Sequence, residues 1–186
     1  MMMTIDNYFD RLKKTIDNID KEEIKNVVNI LLKARANEKQ IFIMGNGGSA
    51  STASHFACDI NKGTKQKDKK PFRVICLNDN IPTMLAYAND SNYDNIFIEQ
   101  LENLLKPGDV VIGISGSGNS NNIINAIGFS NFLKITTVGI TGFDGGMLKQ
   151  MSKHSINTNI DDMQISEDIH MILVHVIMKA ILNEKL

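Results

Sequence analysis

The stretch Ile41-Phe-Ile-Met-Gly-Asn-Gly-Gly-Ser49 decides the fold of this 186-residue chain. Four consecutive apolar residues end at a glycine, as expected for a short strand buried on both faces of a parallel sheet. The glycines that follow let the backbone turn tightly and approach an anion closely. A helix is predicted next, over about Ser51–Asn61. The same strand–loop–helix order recurs at Val110-Val-Ile-Gly-Ile114, Ser115-Gly-Ser-Gly-Asn-Ser120 and Asn121–Phe132. Three serine hydroxyls within that second loop can each donate to a phosphate oxygen.

Further out, the period is helical before Ile41. Ile5, Phe9, Leu12 and Ile16 share one face over about residues 4–38, and Asp20 is placed to cap a second helix with Glu22 and Glu23 in its first turn. Phe72–Leu77, Ile135–Ile140 and Ser155–Ile160 read as further strands, Ile81–Asn89 and Asn95–Leu105 as helices, and Ser166–Leu182 as a long closing helix. Strands alternating with helices predict an α/β sandwich around a parallel sheet, with ligands beyond the carboxyl ends of its strands. Both Gly/Ser loops fall there. Neither fits a nucleotide fingerprint: GxxxxGK[ST] is missing, and Gly116-x-Gly118 lacks the rest of GxGxxG. Two hydroxyl-bearing loops at strand ends therefore point to a phosphate without a nucleotide cofactor.

The bulk properties narrow the classes. The length suits one domain, 1–186, with its helical extension at about 1–38. A net charge of −1 gives no electrostatic case for nucleic acid. The run Lys62–Lys70 reads as a solvated loop that adds positive charge near an anion site. Cys58 and Cys76 are too few and too separated for a disulfide framework, which fits a reducing cytoplasm. The N-terminus shows no signal-peptide pattern, and no run reaches the length of a membrane span.

Gly45-Asn-Gly-Gly-Ser49, His55-Phe-Ala57, Asn89-Asp90 and Gly113-Ile-Ser-Gly-Ser-Gly-Asn-Ser120, in that order, resemble the SIS (sugar isomerase) family, and its phosphoheptose isomerase branch in particular. The resemblance implies a three-layer, flavodoxin-like fold assembled as a homotetramer with active sites at subunit interfaces. It implies that sedoheptulose 7-phosphate is converted to D-glycero-D-manno-heptose 7-phosphate through an enediol, feeding lipopolysaccharide or capsule synthesis. By the same resemblance, Ser49, Ser115, Ser117 and Ser120 bind the phosphate together with Gly47, Gly48 and Gly116. Asn46 and Asp90 hold sugar hydroxyls. Asp59 and His175 stand at the acid/base positions, and His55, Asp59, Glu167 and His175 where some members hold zinc. Asp59 replaces the family's Glu, and Glu167 its Gln. Gly116 stands where a Thr is frequent, and Lys62 lies near the place of an Arg. A non-catalytic SIS module that works by binding protein is the alternative.

The chemistry is consistent with these residue types. Aldose–ketose isomerisation moves one proton between neighbouring carbons and another between their oxygens. A carboxylate and an imidazole divide those tasks. The four-residue spacing of His55 and Asp59 puts both on one helix face. His175 lies in an apolar run, where a lone histidine is more often a packed core residue, so the resemblance alone marks it. His170 is expected to be structural or interfacial, and Cys58 and Cys76 to be inert.

Overall fold

The computed structural model describes residues 4–183, so both ends of the expected 1–186 span lie outside the described residues. Two capped helices lead in. The Thr4 hydroxyl accepts the Asn7 N–H at the start of α1 (Ile5–Asp17), and Asp20 accepts from Glu22 and Glu23 at the start of α2 (Lys21–Ala36). A cap of this kind contributes about 1 kcal/mol. The closing helix, α8 (Met163–Asn183), receives α1. There the Tyr8 hydroxyl donates to Asp168 at 2.6 Å, and Arg11 pairs with Asp162 at 2.7 Å.

Five strands form one parallel sheet: β1 (Ile41–Gly45), β2 (Val74–Cys76), β3 (Val110–Ser115), β4 (Thr136–Thr141) and β5 (His154–Asn157). Their order is β2-β1-β3-β4-β5. Although β1 is buried throughout, its side chains still alternate. Ile41 and Ile43 face the layer of α1, α2, α3 (Gly48–Cys58) and α8. Phe42 and Met44 face the layer of α4 (Ile81–Asp90), α5 (Ile98–Leu104), α6 (Asn121–Phe132) and α7 (Gly146–Met151). The result is a three-layer α/β sandwich with a core on each side of the sheet.

After β1 the chain steps to one side for β2, then returns past β1 to place β3 on the other. That reversal opens a crevice at the carboxyl ends of β1 and β3, where sheets of this order bind ligands. Gly45 and Ile114 are register partners there, so the two Gly/Ser loops leave the sheet side by side.

Several boundaries differ from those expected. α3 starts at Gly48, three residues before the predicted Ser51, because packing on the sheet overrides the poor helix propensity of Gly48 and Ser49. It then widens into a π-type turn over Asp59–Gly63. β2 is shorter than Phe72–Leu77. Phe72 instead lies beneath the Arg35 guanidinium, 5.0 Å from ring centroid to Cζ. The Asn61 amide accepts from Val74 N–H and donates to Val74 C=O, occupying the free edge of β2. α7 was not foreseen. Its Gly145-Gly146 start reads as a turn, and fully buried Leu148 holds the helix in place.

Candidate active site

The first loop is shaped by Gly47, whose φ of +52° favours glycine. The first intrahelical donor is the Ala50 N–H, so those of Gly48 and Ser49 precede it and face the loop. They and the positive end of the helix form an anion cradle. Asn78 steadies its base: its amide accepts the Gly45 N–H at 3.1 Å and donates to the Gly45 carbonyl at 2.8 Å.

The second loop folds over its own hydroxyls. Ser115 Oγ accepts the Gly118 N–H at 3.2 Å and lies 3.1 Å from Ser120 Oγ. Ser120 precedes α6 without capping it, which leaves its hydroxyl turned to Ser115. Ser117 Oγ accepts the Asn119 N–H, and Ser117 borders an open cavity of about 560 Å³ with Phe143, Asp144 and Asn159. Gly118 has a φ of +68°, and a Cβ there would run into the Gly145 carbonyl. The loop is thus packed backbone to backbone on the turn before α7.

A reciprocal amide pair joins the loops. Asn46 Nδ2 donates to Asn122 Oδ1 at 2.8 Å, and Asn122 Nδ2 donates to Asn46 Oδ1 at 2.9 Å. The Tyr93 hydroxyl adds a third bond, to Asn46 Oδ1 at 3.0 Å. Asp90 is exposed at the end of α4, three residues before Tyr93, and accepts from the Asn89 amide.

Helices α3 and α8 lie side by side and run the same way. Glu167 packs its carboxylate on Gly48, the first residue of α3. Two turns on, His175 meets His55 and Asp59, and beyond them Met178 meets Gly63. The His55 and His175 Nε2 atoms are 3.1 Å apart; Asp59 Oδ2 is 3.4 Å from the first and 3.7 Å from the second. The rings meet nearly edge to face at 71°. Both imidazoles are about half exposed and Asp59 is mostly covered, so the cluster opens to solvent over a shielded carboxylate. Among the described residues, these three form the only group able to converge on a metal.

The SIS domain family model matches residues 7–142, which carry both loops, His55 and Asp59. The chain belongs to the SIS-domain family. Within it, the sequence falls in the phosphoheptose isomerase branch. It is 35% identical over 170 residues to the phosphoheptose isomerase of Helicobacter pylori strain 26695, covering 91% of this chain and 88% of that one. To the phosphoheptose isomerase of Aliarcobacter butzleri it is 33% identical, covering 93% and 90%. The solved phosphoheptose isomerase of Neisseria gonorrhoeae superposes with a TM-score of 0.84 at 29% identity, over 92% of this chain and 91% of that one.

Of the SIS-family positions marked in the sequence, the structure brings together the two loops and, separately, His55, Asp59 and His175. Glu167 stands apart from those three. It precedes His175 by eight residues, about 12 Å along a helix, and lies against Gly48 at the start of α3. Asn122, Tyr93 and Asn78 were missed. Asn122 and Asn78 look like ordinary turn or helix-start residues, and nothing local tells that their partners lie at Asn46 and at the Gly45 end of β1.

His170 is structural, as expected. It is 1% exposed, and neither ring nitrogen has a hydrogen-bond partner in the structure. Burial holds its pKa down at about 4, only partly opposed by the Thr141 backbone. Burial likewise pushes the Cys76 thiol up to about 12, so it does not supply a thiolate at neutral pH. Among the described residues, no helix is long and apolar enough to cross a membrane.

Proposed function

We propose that this chain isomerises sedoheptulose 7-phosphate to D-glycero-D-manno-heptose 7-phosphate, with Asp59 and His175 as its acid/base couple. The observation that carries the reading is the convergence of Asp59 and His175 within 3.7 Å, at the far end of the helix that begins in a phosphate cradle. The α3 amides and the hydroxyls of Ser49, Ser115, Ser117 and Ser120 hold the phosphate. Asn46 and Asp90 hold sugar hydroxyls. Asp59 takes a proton from C1 of the ketose and returns it to C2, while His175 carries the hydroxyl proton from O1 to O2. The enediol between these steps needs no outside oxidant or reductant.

The three clustered side chains also suit zinc. Ligands at bond lengths of about 2.0–2.2 Å around a tetrahedral ion lie about 3.3 Å from one another. The observed separations run from 3.1 to 3.7 Å. His55, Asp59 and His175 would hold the ion, which would polarise the sugar carbonyl, and His175 would then serve as a ligand in place of carrying the proton. Two neutral imidazoles plus one carboxylate are a common zinc donor set. Glu167, at the other end of the helix pair, favours a role at the phosphate loop.

We place the chain as a single domain, 1–186, acting in the cytoplasm as a homotetramer with sites at subunit interfaces and supplying lipopolysaccharide or capsule. Support for assembly comes from α4, which has no buried residue and exposes Ile81 and Leu85 one turn apart. The alternative of a purely protein-binding module leaves the Asp59–His175 convergence without a purpose. Purified protein mixed with sedoheptulose 7-phosphate and followed by NMR should yield the aldose phosphate. Asp59→Asn and His175→Ala should each slow turnover by about 100-fold or more while the protein stays folded. Undiminished turnover in both variants would refute the couple.

A further inference from the structure

We propose that Asn122 and Tyr93 fix Asn46 as a hydrogen-bond donor to the sugar, which makes Asn122 a positioning residue of the isomerase. The inference rests on the reaction proposed above, and it begins from a donor whose identity is beyond question. The backbone N–H of Ile123 can only donate, and it points to Asn122 Oδ1 at 3.0 Å while also reaching the Ser120 carbonyl at 3.1 Å. The oxygen of the Asn122 amide is thereby identified. Its nitrogen must then be the atom that faces Asn46, and the atom of Asn46 that it meets at 2.9 Å must be an oxygen.

That oxygen is fully used. A carbonyl oxygen has two lone pairs, and those of Asn46 take the Asn122 amide and the Tyr93 hydroxyl. The Asn46 nitrogen spends one hydrogen on Asn122 and keeps one. The loop between β1 and α3 therefore offers the ligand an N–H at this point and no acceptor. The group it meets must accept: the lone pair of a hydroxyl, a carbonyl oxygen or an oxyanion. Asn122 itself is 1% exposed, so it acts through Asn46. It also sits in the first turn of α6, so one side chain sets the spacing of both loops.

The test is a pair of double-mutant cycles. kcat/KM for sedoheptulose 7-phosphate and the calorimetric Kd of the same sugar phosphate are measured for wild type, Asn46→Ala, Asn122→Ala and the double variant. Asn122→Ala alone should raise KM about 3- to 10-fold, the range of one lost hydrogen bond. In the Asn46→Ala background it should add nothing to KM or Kd. Because Asn122 is buried, Tyr93→Phe supplies a second cycle at an exposed position and should show the same dependence on Asn46. Asn46→Asp keeps the acceptor bonds but offers no N–H, and should lose as much affinity as Asn46→Ala. Equal losses in the presence and absence of Asn46, or unchanged affinity in Asn46→Asp, would overturn the proposal. If wild type binds the sugar phosphate without converting it, the isomerase reading fails, and the Kd values still decide the role of Asn122. Absence of binding in wild type would remove both.

Discussion

His55 and His175, 120 residues apart in sequence, hold their Nε2 atoms 3.1 Å from each other beside Asp59. Two imidazole nitrogens reach that separation either through one N–H···N hydrogen bond or by facing one cation. The second case gives a prediction independent of catalysis. Protein stripped with a chelator and titrated with zinc to about 100 times its Kd should gain about 2.7 kcal/mol of stability. For a chain of this size that is about 5–10 °C in melting temperature. His55→Ala should lose most of the gain, and Glu167→Gln should keep it. Equal gains in wild type and His55→Ala would place zinc elsewhere.

Acid should weaken the fold through His170. Its folded pKa of about 4 lies below the value of about 6.5 for an unfolded histidine. Below pH 6.5 the unfolded chain binds a proton that the folded one refuses, so stability falls as pH drops and levels off near pH 4. The full loss is about 3 kcal/mol. Urea unfolding of wild type and His170→Leu between pH 4 and 7 checks it. The difference in stability between the two should vary with pH by roughly that amount, and parallel pH profiles would exclude His170 as the source.

Gly118→Ala should be costly. Its positive φ and the Gly145 carbonyl in the place of a Cβ leave no room for a methyl group. The expected loss is about 1–3 kcal/mol, read as a lower melting temperature. Gly47→Ala, in open space but at φ +52° and ψ −122°, carries the conformational cost alone, about 1–3 kcal/mol. A melting temperature for Gly118→Ala equal to that of wild type would show that neither the positive φ nor the backbone contact matters.

The layers of this protein were legible because buried parallel strands are short apolar runs and the loops that follow them carry glycine. Ile41–Gly45 and Val110–Ser115 could be read that way, and so could the Asp20 cap. What escaped was decided by tertiary contacts. The α3 start at Gly48 depends on the sheet beneath it, and α7 depends on a pocket for Leu148. Of the candidate site, the serine-bearing loops stood out by residue type, while His55 and Asp59 were marked by resemblance and their four-residue spacing placed them on one helix face. The place of His175 came from resemblance, since its apolar neighbours describe only a packed helix. Asn122 gave no local sign, because an asparagine near a helix start is common and its partner is 76 residues away.

The side-by-side course of α3 and α8 makes the site a ruler. From Gly48 at the proposed phosphate cradle to His55 in the proposed proton-transferring cluster is seven residues, about 10 Å along the helix. A substrate gripped at one end presents its carbonyl only if its carbon skeleton spans that interval. Shorter sugar phosphates would then be held as competitors and left unreacted, so selectivity for chain length would be written into a helix and require no dedicated pocket wall.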